Sequence, residues 1–161
     1  MADSTQLRRL VAYNQWADER ILAAVEGLAA EELAQPREAY FGSLAAILRH
    51  IVAAQRIWLA RWRGEAPPRY DEPIGAPWRE AFGETHDALR AYVAGLSDAD
   101  ADRIVHYTGF RGNALELAVA QAITQLVNHG TAHRAETGLL LERLGRSPGD
   151  LDYSLYCFEH P

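Results

Sequence analysis

The stretch Leu126-Val127-Asn128-His129-Gly130-Thr131-Ala132-His133-Arg134-Ala135-Glu136-Thr137-Gly138-Leu139-Leu140-Leu141 decides how this chain is read. It contains no proline, and its apolar residues recur mostly at helical intervals. Extended outward, the pattern predicts one long helix from about Leu115 to Leu144, with Gly145 just past its end. His129 and His133 are four residues apart, so on a helix they share a face, with Cβ atoms about 6 Å apart. Leu115, Ala118, Ala122, Leu126 and Leu140 fall on the same face, so both imidazoles are expected to point inward. The small residues Ala118, Ala122 and Gly130 let another helix approach closely.

Three more segments carry helical periodicity, separated by Gly- and Pro-rich stretches. The first follows Asp3-Ser4-Thr5, which supplies capping oxygens, and ends near Gly27. A short turn is expected at Ala30 to Leu33. The second long helix starts at Ser43 and carries Ile47, His50, Ile51, Ala54 and Trp58 as its stripe. Leu44, Leu48, Leu59 and Trp62 widen that stripe enough for a core contact plus a subunit contact. Four prolines keep Gly64 to Pro77 from being helical throughout. The third helix runs from about Trp78 to Ala94, with Gly95 as its cap. Ser97 to Asp100 starts another short turn. Arg103 to Tyr107 is strand-like, and Gly112-Asn113 is a turn signal, so a small hairpin is expected there. The tail from Arg146 carries Tyr153, Leu155, Tyr156 and Phe158 and is expected to pack on the rest. The expectation is an all-α protein, a four-helix bundle in a single domain over residues 1–161, with a small hairpin before the last helix.

Composition narrows the function. A net charge of −6 with mixed signs along the chain offers no basic stripe for phosphates, so no nucleic-acid partner is expected. The most apolar stretch, Leu44 to Trp62, is broken by Arg49, His50, Arg56 and Arg61, so no membrane partner is expected either. The single Cys157 cannot form an internal disulfide, and the first ten residues show no apolar signal region. Both fit a cytoplasmic protein.

His50 lies on the inward stripe of its helix, as His129 and His133 do on theirs. Burying three imidazoles among apolar neighbours costs stability unless their nitrogens find partners. One shared cation partners all three. Core histidines, each satisfied by one hydrogen bond, are the competing reading. Three neutral imidazoles without a thiolate suit zinc, nickel, copper, cobalt or iron. Three protein ligands leave coordination positions open, as in catalytic rather than closed structural sites. A thermolysin-type HExxH motif is absent, because Gly130 stands where its glutamate would be. A ferritin-like carboxylate set is incomplete.

Glu136, seven residues after His129, is a candidate fourth ligand, an acceptor for a ligand's ring N–H, or a partner of Arg134 or Arg143. Asn128 and Arg134 flank the ligands and point sideways. Arg134 is a candidate contact for an anionic substrate group or a surface ion pair. His86 is expected on an exposed helix face, His106 in the hairpin and His160 at the tail, none of them ligands.

The segment Leu10-Val11-Ala12-Tyr13-Asn14-Gln15-Trp16-Ala17 resembles the first helix of the DinB-like (YfiT-like) family. Arg49-His50-Ile51 followed by Trp58-Leu59, Asn128-His129 through His133-Arg134, and Asp150-Leu151-Asp152-Tyr153 continue the resemblance in the family's order over nearly the whole length. The resemblance implies a four-helix bundle, usually a homodimer, with a three-histidine site for zinc or nickel. Some characterised relatives transfer a low-molecular-weight thiol (bacillithiol, mycothiol or glutathione) to an electrophile, or use it for isomerisation. This chain has Ala132 before His133, where many members have a second histidine. It has Glu136 where members often have glutamine.

Three functions follow as expectations. The first is a metal-dependent thiol S-transferase acting on a small molecule, with His50, His129 and His133 holding the ion. Trp16, Trp58 and Tyr13 are then pocket candidates, with core packing as their competing role. The second is a metal-dependent hydrolase of a small substrate. The third is a non-catalytic stress-response protein braced by its metal.

Overall fold

A computed structural model describes residues 3–109 and 111–161. The first helix, α1, spans Ser4–Val25, and the Asp3 carboxylate caps it by accepting from the Thr5 and Gln6 backbone N–H groups. After the short α2 (Ala30–Ala34) comes α3 (Leu44–Arg63), capped by the Ser43 hydroxyl, which accepts from Ala46 N–H. Gly64, at φ 73°, closes α3 in the left-handed region that a side chain would resist. Helix α4 covers Trp78–Ala94 and α5 covers Asp98–Ala101. These boundaries match the sequence reading to within one or two residues, and α1, α3 and α5 each start on a side-chain cap.

The four long helices pack in a cycle. With α6 at Val119–Glu142, α1 lies on α6 and α4, and α3 lies on the same two. Two apolar clusters fill the space between them. One gathers Leu7, Val11, Trp58, Trp62, Leu89 and Leu126, and the other Ile21, Ile47, Ile51, Phe82, Leu140 and Leu141. Burying each of these large side chains contributes about 1.5–3 kcal/mol. Between the clusters, each long helix contributes a buried polar group: Asn14 and Asp18 from α1, Gln55 from α3, His86 from α4 and Arg134 from α6. The broad stripe of α3 is buried within a single chain.

Strands β1 (Ile104–Thr108) and β2 (Ala114–Ala118) form the expected antiparallel hairpin, with Val105 opposite Leu117 and His106 opposite Glu116. This corrects the start of the last helix. Leu115 and Ala118 belong to β2, and the helix begins at Val119. Leu-Glu-Leu has helix propensity, but pairing with β1 supplies backbone partners and overrides that weak preference. The Val119 N–H extends the ladder by donating to the Arg103 carbonyl at 2.9 Å.

The tail forms α7 (Tyr153–Glu159) and packs on α1. Tyr156 is buried, as expected of a greasy tail, whereas Phe158 is 86% exposed. Among the described residues, no helix is long and apolar enough to cross a membrane.

Candidate metal centre

Helix α3 presents His50, and α6 presents His129 and His133 one turn apart. His50 Nε2 stands 3.0 Å from His129 Nε2, and His133 Nε2 stands 3.2 Å from the same atom. Ligand atoms of all three residues lie within 4.8 Å of one another, so this three-histidine cluster can hold a metal ion. Nitrogens bound to one ion at 2.0–2.1 Å, with angles of 90–109°, stand about 2.9–3.4 Å apart. Both separations fall in that range. Without an ion, two rings crowd a single nitrogen that is either donor or acceptor, which satisfies at most part of the set. The residues present therefore fit the group.

Electrostatics favours the ligand form. Burial, reinforced by His129 and His133, pushes His50 down from 6.5 to about 4. Burial, then His133 and Arg134, brings His129 from 6.5 to about 4. Both rings are neutral at pH 7, with lone pairs available to a cation. Glu136 sits at the other edge of His133. Its Oε2 is 3.5 Å from His133 Nδ1, a buried nitrogen that makes no hydrogen bond, and its Oε1 accepts from the Tyr40 N–H at 2.6 Å. Glu136 thus occupies the position of an acceptor behind a ligand ring. No ion pair links it to Arg134 or Arg143 among the described residues.

The histidines face a cleft of about 670 Å³. Phe41 stacks on His50 with ring centres 4.2 Å apart, Tyr70 stacks on it at 5.3 Å, and Phe41 meets His133 edge-on at 5.2 Å. Tyr40, Arg49 and Asp71 complete the rim. The sequence reading missed these five residues of the cleft. Three are aromatic residues in loops, where no periodicity marks them. The one available signal is Tyr40-Phe41 directly before the Gly42-Ser43 start of α3.

Two expectations are corrected, and three aromatic residues take the core-packing role over the pocket role. Arg134 forms no surface ion pair: it is buried, and its Nη1 donates at 2.8 Å to both Asp18 Oδ1 and Asn14 Oδ1. His86 is likewise buried, not exposed, with Nε2 3.0 Å from Asp18 Oδ2. Its spacing from Phe82 and Leu89 was the signal, since these lie four before and three after it on the inward face of α4. Trp16 and Tyr13 pack under α7 and line no part of the histidine cleft. Trp58 packs in the core and borders a neighbouring hollow. Asn128 is exposed and does not line the histidine cleft, as a sideways position implies. His106 lies in the hairpin and His160 at the tail, outside the cluster.

Burial alone would push the Asp18 carboxyl up. Arg134 and His86 outweigh that and hold it below the usual carboxylate range.

The family model described as the DinB family matches residues 1–160. The protein named "Protein DinB" from Bacillus subtilis (strain 168) is 23% identical over 159 residues, which cover 93% of this chain and 92% of that protein.

Proposed function

This chain belongs to the DinB family, and from that premise we propose that it is a four-helix bundle holding one divalent transition metal through His50, His129 and His133. The observation that carries the reading is the approach of three ring nitrogens, from two helices, to within bonding reach of one point beside an open cleft. Neutral nitrogen donors without thiolate or carboxylate suit zinc, nickel, copper, cobalt or iron, and the family resemblance points to zinc or nickel among them.

We further propose that the protein is a metal-dependent transferase of low-molecular-weight thiols. In that reaction a thiol sulfur replaces a leaving group on an electrophilic carbon, and the thiol proton departs with the leaving group. A bound divalent ion supplies Lewis acidity, which favours the thiolate form of a thiol at neutral pH. The protein's own groups do the rest. Phe41 and Tyr70 wall the cleft and exclude water from one side of His50. Glu136 stands at the Nδ1 edge of the His133 ring, where an acceptor would turn that N–H away from the ion and leave Nε2 for it.

The remaining parts of the reading rest on the family resemblance and on composition: one domain over residues 1–161, a homodimer in the cytoplasm, a small-molecule substrate, and neither nucleic acid nor membrane as partner. The α3 stripe adds no support for the dimer, because one chain covers it.

The test is elemental analysis of the purified protein beside His129→Ala, with a thiol-transfer assay on a haloaromatic electrophile. The expected result is one ion per chain in the parent and almost none in the variant. Chelation should abolish activity and added metal should restore it. A variant with all three histidines changed to alanine that kept full activity would refute the reading.

A further inference from the structure

Beside the histidine cleft lies a second hollow of about 410 Å³ that shares His129 and Tyr70 with it. Helix α3 gives this hollow Trp58 and Arg61, and the hairpin gives it Tyr107 and Arg111. The Arg61 guanidinium lies 4.8 Å over the Trp58 ring and 4.5 Å over the Tyr107 ring. Among the described residues it donates one hydrogen bond, 3.3 Å long, to the Thr108 carbonyl. A guanidinium has five N–H donors, so most remain for another acceptor. The lining contains no aspartate or glutamate, although the chain as a whole carries a net charge of −6.

A half-buried cation with no counter-ion among the described residues is costly, and two flanking rings lock the plane of its fork. Burial pushes the Arg61 guanidinium below its ordinary value, opposed only by the Tyr70 and Tyr107 hydroxyls. A planar fork held rigid beside a second arginine is the arrangement that binds a carboxylate or phosphate bidentately.

We infer that this hollow is an oxyanion subsite: the small molecule that reacts at the histidines carries a carboxylate or phosphate group, which Arg61 and Arg111 take while its reactive end lies at His129. The inference deepens the thiol-transferase reading and rests on it for the reacting end. The competing role for Arg61 is a brace that ties the hairpin to α3. A brace affects folding but does not select ligands by charge.

The test is calorimetric titration of the zinc-loaded, full-length protein with mercaptosuccinate and with mercaptoethanol. The parent should bind the charged thiol at least about tenfold more tightly, the scale of one charge-assisted hydrogen bond. Combining R61Q with R111Q should remove that advantage and leave mercaptoethanol binding and zinc content unchanged. An advantage that survives both substitutions comes from chelation of the ion by the carboxylates, and overturns the subsite. R111Q alone changes an exposed side chain at the hairpin tip, so it keeps the test decisive if the double variant does not fold. It should weaken mercaptosuccinate at least about threefold, and unchanged affinity would count against the inference.

Succinate and inorganic phosphate, titrated into the metal-free protein, separate the two oxyanion sources. Binding of either that is lost in R61Q/R111Q supports the subsite and names its group. Absence of both overturns it. A protein that takes up no zinc but binds one of these anions through the arginines refutes the metal reading and leaves the subsite standing.

Discussion

Arg134 and Asp18 form an ion pair 2.8 Å long whose side chains are 1% and 0% exposed. The pair joins α6 to α1 one residue past His133. Asp18 also accepts from Gln55 at 2.6 Å, and its Oδ2 lies 3.0 Å from His86 Nε2. One carboxylate therefore holds groups from all four long helices, and the helix that carries two of the histidines is fixed by it.

Removing one member leaves the other buried without the opposite charge that stood 2.8 Å away. Asp18→Ala should lose about 3–5 kcal/mol of stability in urea unfolding. Combined with Arg134→Met, the loss should fall short of the sum of the single losses by more than about 1 kcal/mol. Additive losses would show that the two side chains act independently.

Acid should weaken the metal-free protein in two stages. His50 and His129 have folded values of about 4 against an ordinary 6.5. The unfolded chain therefore binds more protons between those values, and the stability that these rings contribute is complete above pH 6.5 and lost as pH falls towards 4. Asp18 is held below its ordinary 3.8, so its contribution is present above that value and lost only as pH falls through the lower folded one. Urea midpoints measured at pH 7.5, 5.5 and 4.5 should decline across the first window, and His50→Ala should flatten the decline.

Glu136 bridges the His133 ring edge and the Tyr40 backbone. Glu136→Ala should weaken metal binding by about tenfold to a hundredfold, measured by competition with a chelator. Glu136→Gln keeps an acceptor for both contacts and should lose less. Equal affinities in all three proteins would assign Glu136 to the loop alone.

Gly130 lies against the ion pair. A Cβ built there would meet Arg134 Nη1 at 2.7 Å and Asn14 Oδ1 at 2.8 Å. Glycine to alanine in an open helix stabilises by up to about 1 kcal/mol. At this position the sign should reverse, with Gly130→Ala losing about 1–3 kcal/mol in thermal melts.

Much of this molecule is legible in its residues. Asp3, Ser43, Gly64 and Ser97 mark helix ends by local chemistry, and the ends fall where they point. His50, His129 and His133 stand out because helical spacing alone puts them on inward faces. What stayed hidden depends on contacts distant in the chain. Leu115 to Leu117 is built from helix formers and becomes a strand only because β1 lies beside it. Arg134 belongs to a residue type that is rarely buried, and its acceptors Asp18 and Asn14, 116 and 120 positions away, explain its burial. Phe41 and Tyr70 reach His50, and Tyr40 the rim of the cleft, from irregular loops, where no periodicity announces them.

Those loops have a consequence of their own. The histidines come from rigid helices, whereas Phe41 and Tyr70 come from the connections that flank α3. The histidine cluster and the walls of its cleft are therefore separate modules. Exchanging residues 36–42 or 65–76 would reshape the cleft without replacing the helices that carry the histidines.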